Sequence, residues 1–389
     1  MKIHIGMVIK SMGVGGIERC ITRLANGMDR QRFRVSVICL DHSGPAADWI
    51  DNSEVEIVEL KHKTGNSLKV VRDLASQIKR LNIGIVQSHN WATLLESHLA
   101  ARLAGGMIHS HAERGTVLGP AKGALRQTVR SLIMRWAIGR AHSTMTNAYS
   151  VADRVRSTAG LKAHPITVIP NGLAVPYSVF EIEQHRRSLR ASLAVDDAEI
   201  IVGTVGRLVP VKNLALAIQG FAKARQLISS KTRLVLVGDG PCRGELEQLA
   251  ARCNVADSVL FVGEQTNVWP YYAAMDVYIN TSHSEGMSQS ILEAMACGKP
   301  VLATDVGDSR RMVCGTSVCG VVLSEASVAC FSRSLVELTA NRCKLAEYAG
   351  NARRVYEEQY SLSAMLQGFE SYYSQLWQDY RPATNASPV

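Results

Sequence analysis

Four residues in the C-terminal half have the types and spacing that chemistry would use: Arg207, Lys212, Glu285 and Glu293. Arg207 and Lys212 lie five positions apart in Gly206-Arg207-Leu208-Val209-Pro210-Val211-Lys212-Asn213, directly after a strand-like run. Across a loop they can clamp a diphosphate, the guanidinium as a planar fork and the ammonium as a point charge. Glu285 stands before a helix-like stretch, and Glu293 is placed about two turns inside it among Ile291, Leu292, Met295 and Ala296. A carboxylate in that apolar company needs a polar partner, and a sugar diol is one. Taken singly, each feature also has an ordinary explanation, as a solvated pair on a loop or an acid capping a helix entrance.

Glycine turns follow several strand-like runs: Gly13-Val14-Gly15-Gly16-Ile17-Glu18, Gly238-Asp239-Gly240-Pro241 and Gly263-Glu264. Glycine lets a backbone approach a ligand closely, and the N–H groups of a helix start favour an anion. The first turn does not have the G-x-G-x-x-G spacing, and no suitable acid follows the second strand, which argues against a nicotinamide site.

The elements that must position these residues alternate strand and helix throughout, the pattern of two parallel-sheet α/β domains. Strands are expected at 2–9, 34–40, 55–60, 83–88, 107–110, 143–147 and 166–169, then at 199–205, 232–237, 259–262, 277–280, 301–304 and 321–323. Ile17, Cys20, Ile21, Leu24 and Met28 make the stripe of a helix packed on a sheet. Residues 1–175 form the first domain, a polar Arg-rich stretch at 176–198 the linker, and 199–362 the second domain. An amphipathic helix at 363–380 and a disordered tail at 381–389 complete the chain. Two doubly wound domains facing one cleft place ligands at the carboxyl ends of their strands, where the four residues and the glycine turns lie.

With 389 residues, 47% hydrophobic and 20% charged, the chain is globular, which excludes disorder, collagen and a small disulfide scaffold. No apolar run reaches the ~18–20 residues needed to span a bilayer. The apolar start ends at Lys10 and runs into a glycine turn, so it reads as a strand and not as a signal peptide. The nine cysteines are scattered without C-x-x-C, as expected of reduced thiols in the cytoplasm. Residues 1–175 hold 23 Lys+Arg against 12 Asp+Glu, a net +11, whereas the remainder carries −2. One domain therefore faces something anionic.

In their order and spacing, Gly15-Gly16, Gly206-Arg207-Leu208 with Lys212, Gly238-Asp239-Gly240-Pro241, and Glu285 with Glu293 resemble the retaining family-4 glycosyltransferases (group 1) of GT-B fold. The likeness runs from about Met1 to Tyr380 and includes Val168-Ile169-Pro170-Asn171-Gly172 before the linker. It implies two Rossmann-like domains around a central cleft, with the last helix crossing back to the first domain. It further implies that Arg207 and Lys212 hold the donor pyrophosphate and stabilise the leaving diphosphate, that Glu293 binds the ribose, and that Glu285 contacts the donor sugar. The N–H groups of Gly286, Met287 and Ser288 would meet a sugar hydroxyl or phosphate. Gly263, Asn267 and Val268 would border the base, Gly206, Gly238 and Gly240 would line the donor site, and Gly15-Gly16 would border the phosphate and acceptor. No cofactor or metal is implied, since cationic side chains and helix ends supply the positive charge.

One stretch departs from that pattern. Where many members have His-Gly after the fifth strand, this chain reads Ile108-His109-Ser110-His111-Ala112-Glu113-Arg114-Gly115. Arg114 falls at the histidine position; His111, three residues earlier, and Arg114, as a cation, are the candidates for its place, the alternative for His111 being a histidine simply packed at a strand end. His89, Asn90 and His109 are the acceptor-side candidates. Leu125, Val129, Leu132, Ile133 and Trp136 recur at helical spacing among Lys122, Arg126, Arg130, Arg135 and Arg140, as in an interfacial helix or a domain helix with a basic face. The expected function is sugar transfer from a nucleotide-diphosphate sugar to a lipid-linked or polysaccharide acceptor of a cell-surface glycan. The expected location is the cytoplasm, peripheral on the inner face of the membrane. A sugar-nucleotide epimerase or hydrolase, or a non-catalytic nucleotide-sugar-binding partner, are the alternatives. Basic residues without interleaved aromatics, in a chain only 6% aromatic, disfavour nucleic acid.

Overall fold

The computed structural model describes residues 2–62, 67–115, 123–196 and 198–380, in two compact units: Met1–Asn171 with Leu362–Val389, and Gly172–Ser361. Lys122 and the 381–389 tail lie outside the described residues. The first unit contains β1 (Ile3–Ile9), α1 (Gly16–Gly27), β2 (Phe33–Cys39), β3 (Glu56–Glu59), α2 (Leu68–Arg80), β4 (Ile85–His89) and α3 (Trp91–Leu103). It continues with β5 (Ile108–Glu113), α4 (Ala124–Ile138), β6 (Ser143–Thr146), α5 (Tyr149–Ala159) and β7 (Thr167–Val168). Its strands form one parallel sheet in the order β3-β2-β1-β4-β5-β6-β7. Apart from His4, β1 is apolar because helices cover both faces of a parallel sheet.

The second unit holds α6 (Val179–Ser192), β8 (Ile200–Val205), α7 (Leu214–Arg225), β9 (Thr232–Val237), α8 (Arg243–Arg252), β10 (Val259–Gly263) and α9 (Trp269–Ala274). After these come β11 (Val277–Asn280), α10 (Gln289–Ala296), β12 (Val301–Ala303), α11 (Ser309–Cys314), β13 (Gly320–Val322), α12 (Val328–Ala340) and α13 (Arg342–Val355). The sheet order is β10-β9-β8-β11-β12-β13, all parallel. In both sheets the strand order reverses beside the first strand, at β1/β4 and at β8/β11, and ligands of such sheets bind at that reversal. The closing helix α14 (Leu362–Tyr380) belongs to the first unit, burying Met365, Phe369, Tyr373 and Leu376 in its core.

Two expectations need correction. The first unit ends at Asn171, and most of the supposed linker is helix α6, which belongs to the second unit. Ser178 and Glu181 form a reciprocal capping box at its start. The helix is anchored by Arg190, 2% exposed, whose guanidinium donates to the Ala274, Asp196 and Glu199 carbonyls and to Asp276. A buried arginine leaves no apolar stripe to read. β5 also runs three residues past its expected end at Ser110, to Glu113. Arg190→Ala would strip the Glu199 carbonyl of its guanidinium and leave Asp276 with only Arg186 and the Ile201 N–H, a loss of about 2–3 kcal/mol. Chemical denaturation followed through Trp269 should register it, and an unchanged midpoint would refute this anchoring.

Candidate active site

In the second unit the loops after β8 and β11 are stitched together. The His283 N–H donates to the Val211 carbonyl (2.8 Å), and the Thr281 hydroxyl donates to the Lys212 carbonyl (3.0 Å). Across this seam Lys212 Nζ donates to Glu285 Oε1 at 2.6 Å, and the Ser282 hydroxyl donates to the same oxygen at 2.8 Å. The expected base and acid thus meet as a partly buried ion pair. Arg207 lines the same small cavity with Gly206, Asn280 and Ser282, and among the described residues it has no ionic partner.

The glycine turns after β8, β9 and β10 pack edge to edge. Gly206 N–H donates to the Val237 carbonyl (2.9 Å), Leu208 N–H to Asp239 (2.9 Å), and Gly238 N–H to Gly263 (2.8 Å). Gly238 has φ +129°, and a Cβ there would lie 2.1 Å from the Gly206 carbonyl oxygen, so only glycine fits. The turns enclose a cavity of about 410 Å³ bordered by Gly206, Arg207, Gly238, Gly240, Glu264, Gln265 and Val268. Asn267 does not join that lining; its amide donates to the Tyr177 hydroxyl (2.9 Å) at the surface.

Because residues 282–288 are irregular and α10 begins at Gln289, Glu293 lies one turn inside the helix, not two. Its Oε2 accepts from the Tyr272 hydroxyl of α9 at 2.7 Å. Burial first, and the Glu293 charge next, push the Tyr272 phenol well above its ordinary range, so it remains a donor. The Ser288 side chain turns inward to Asn280 (3.2 Å), and the Gly286 carbonyl accepts from Asp308 N–H (2.9 Å). Met287 packs against the core of the unit. Tyr272, Asn280 and Ser282 complete the site yet stand out in the sequence only as polar residues near strand ends.

In the first unit Gly15 opens α1 in an extended conformation, and the Glu18 carboxylate lies across it, 2.6 Å from where a Cβ would stand. The positive helix end is therefore already matched by an acid of its own first turn. His109, His111 and Glu113 share one face of β5, and Ser110 and Arg114 the other. The Ser88 hydroxyl lies 2.9 Å from both His109 Nε2 and His111 Nδ1, His98 Nδ1 is 3.3 Å from His109 Nδ1, and His111 Nε2 is 3.5 Å from Glu113 Oε2. The hydroxyl has one proton, so at least one imidazole must donate to it. His109 and His111 are thus interior links of a buried polar chain, which corrects the expectation of a histidine open to an acceptor; Glu113 was not among the expected residues. Arg114 remains available: Nη1 donates to Asn171 (3.0 Å), the guanidinium lies over Phe369, and buried Nε and Nη2 have no acceptor among the described residues. Asn90, at φ +56°, joins β4 to β5 by accepting Arg114 N–H (2.9 Å) and donating to the Ala112 carbonyl (2.9 Å). Buried His89 keeps Nδ1 on the Val8 carbonyl (3.2 Å).

Helix α4 buries Met134, Ala137 and Ile138, while Leu125 (80% exposed), Val129 (46%), Leu132 (58%) and Trp136 (37%) face outward beside Arg126 and Arg135. Arg130 lies 5.6 Å from the Trp91 ring centre. Among the described residues no helix is long and apolar enough to cross a membrane, and no group of three or more His, Cys, Asp or Glu could hold a metal.

A family model for "Glycosyl transferases group 1" matches residues 185–355, and one for "Glycosyltransferase Family 4" matches residues 14–175. The chain is 34% identical over 205 residues to the D-inositol 3-phosphate glycosyltransferase of Gordonia bronchialis, across 50% of this chain and 44% of that protein; the chain thus spans about half the length of that relative. It is 26% identical over 356 residues to the UDP-Gal:alpha-D-GlcNAc-diphosphoundecaprenol alpha-1,3-galactosyltransferase of Escherichia coli, covering 88% of this chain and 89% of that protein. The crystal structure of HepE from Anabaena in complex with UDP is similar in fold, with TM-score 0.75, 21% identity, and coverage of 96% of this chain and 100% of that one.

The buried histidines of the first unit set an acid limit. Burial first pushes His4 down to about 4 and His89 to about 3, and it drives His109 well below the ordinary value. Below about pH 6.5 the unfolded chain binds protons that the folded unit refuses, so stability is complete above that pH and declines beneath it, by about 1.4 kcal/mol per pH unit for each such histidine. Unfolding followed by urea at pH 7.5 and 5.5 should show the first unit losing about 4 kcal/mol. Equal stability at both values would contradict this burial.

Proposed function

The chain belongs to the group 1, family 4 glycosyltransferases, and from that premise we propose that it is a retaining hexosyltransferase using a uridine-diphosphate sugar and a lipid-diphosphate-linked acceptor in cell-surface glycan synthesis. One observation carries the reading: the Lys212–Glu285 pair closes one side of a site in which Arg207 is an uncommitted cation beside the 410 Å³ cavity. A diphosphate competes for Lys212 and engages Arg207, which frees Glu285 to contact the sugar. The two cations stabilise charge on the leaving diphosphate, whose phosphate oxygen takes the acceptor proton. Glu293, already a hydrogen-bond acceptor from Tyr272, receives a ribose hydroxyl, and the pocket near Glu264, Gln265 and Val268 receives the base.

The uridine donor and lipid-linked acceptor are supported by the likeness to the Escherichia coli galactosyltransferase, and the acceptor side is assigned to the first unit, with Arg114, His89 and Asn90. The outward apolar row of α4 with Arg126, Arg130 and Arg135 supports peripheral docking on an anionic membrane, each cation contributing ~1 kcal/mol near the surface.

UDP should raise the melting temperature more than GDP or ADP, and at 100 times its Kd should add about 2.7 kcal/mol of stability. Glu293→Ala should weaken UDP about 10–100-fold, and Arg207→Ala with Lys212→Ala should abolish transfer while the fold persists. Full turnover in the double variant would overturn the site. For the membrane, sedimentation with phosphatidylglycerol vesicles should show Leu125→Glu with Leu132→Glu losing binding about tenfold or more, since ~1.5–3 kcal/mol attaches to each buried leucine. Undiminished binding would remove α4 from the docking face.

A further inference from the structure

At the amino edge of the second sheet, the end away from Gly206, Gly238 and Glu285, lies a cavity of about 320 Å³ that the transfer reaction does not use. Lys299 precedes β12, Asp276 precedes β11, Arg186 comes from α6, and Arg342 opens α13. The charges there are unevenly matched. Asp276 is held by Arg186 (3.2 Å), Arg190 (3.0 Å) and the Ile201 N–H (2.8 Å), and Glu183 by Arg187 (2.9 Å). Lys299 and Arg342 reach only carbonyl oxygens among the described residues: Nζ to Ala273 at 2.7 Å, and Nη2 to Ala198 at 3.3 Å. Lys299 and Arg342 therefore line the cavity without an ion pair of their own, while its two carboxylates, Asp276 and Glu183, are already paired with arginines.

The Lys299 ammonium is pushed down to about 8, by burial first and then by Arg186, so it stands in a setting that a bound anion would relieve. Leu345 and Ala346 give the opposite wall an apolar character and leave room for more than a bare ion.

We propose that this cavity is a second ligand site, which binds a small phosphate monoester as its dianion through Lys299 and Arg342, with Arg186 beside them. Two unmatched cations fit a double negative charge, and a guanidinium fork beside an ammonium fits phosphate oxygens. The site is independent of the donor assignment, because none of its residues borders the donor cavities.

The test uses the full chain carrying Arg207→Ala and Lys212→Ala, so that phosphate bound at the donor site does not contribute. Ribose 5-phosphate and inorganic phosphate, titrated calorimetrically at pH 7.5 and constant ionic strength, should each bind saturably. Adding Arg342→Ser, an exposed position that leaves the core untouched, should weaken both about tenfold or more, and Lys299→Met should do likewise. Equal affinity with and without Arg342→Ser, or heat no different from that of a chloride control, would overturn the proposal whatever Lys299→Met does to folding. In parallel, ribose 5-phosphate should slow acetic anhydride labelling of Lys299 about fivefold or more, which mass spectrometry reads directly. Unchanged labelling would count against Lys299.

Discussion

The donor half of this protein is organised by a contact between opposite charges across a strand-order reversal. Lys212 follows β8 and Glu285 follows β11, strands that are neighbours in the sheet though 73 residues apart in the chain. Two bonds to the Val211 and Lys212 carbonyls hold the loops in register, so the 2.6 Å contact rests on backbone positions and not on side-chain reach alone. For a partly buried pair the cost of desolvating both charges offsets much of their attraction, so its net contribution to stability is small. Its value is placement: the carboxylate and the ammonium satisfy one another until a ligand with a stronger claim on the cation enters.

Backbone packing forms the second constraint. A cavity that admits a diphosphate and a base needs its walls close to main chain, where N–H groups are the donors. The turns after β8, β9 and β10 touch carbonyl to glycine, and a methyl group at Gly238 would collide with Gly206. Likewise Gly307, at φ +57°, lies under the Gly286 carbonyl, where a Cβ would approach within 2.3 Å. The glycines thus define the depth of the site as well as the paths of its turns.

Strands and sheet class were legible because parallel strands buried on both faces read as unbroken apolar runs, and every expected strand is present. The features that escaped share a cause: polar residues were taken for solvent when the fold had buried them. Arg190 made α6 look like a linker; His111 and Glu113 made the end of β5 look like a loop. Each is buried by partners distant in sequence, as Arg190 is by Asp276 and His109 by Ser88. Arg207, Lys212 and Glu285 could be read because they follow recognisable strands, and Glu293 because its helix starts directly after the last of those loops. The Tyr272–Glu293 bond joins two helices, and no local pattern encodes it.

That bond also ties the active site to the opposite edge of the sheet. Helix α9 is only six residues long, too short to hold its own position. Its Tyr272 reaches forward to Glu293, while the Ala273 and Ala274 carbonyls at its end receive Lys299, Arg186 and Arg190. The ribose carboxylate proposed for the donor site is therefore oriented by the residue next to two carbonyls that three cations hold. Tyr272 is fixed between the two by its backbone bonds to Val268 and Met275 and by the Trp269 and Tyr278 rings, so the carboxylate and the cations share one short element as their common support.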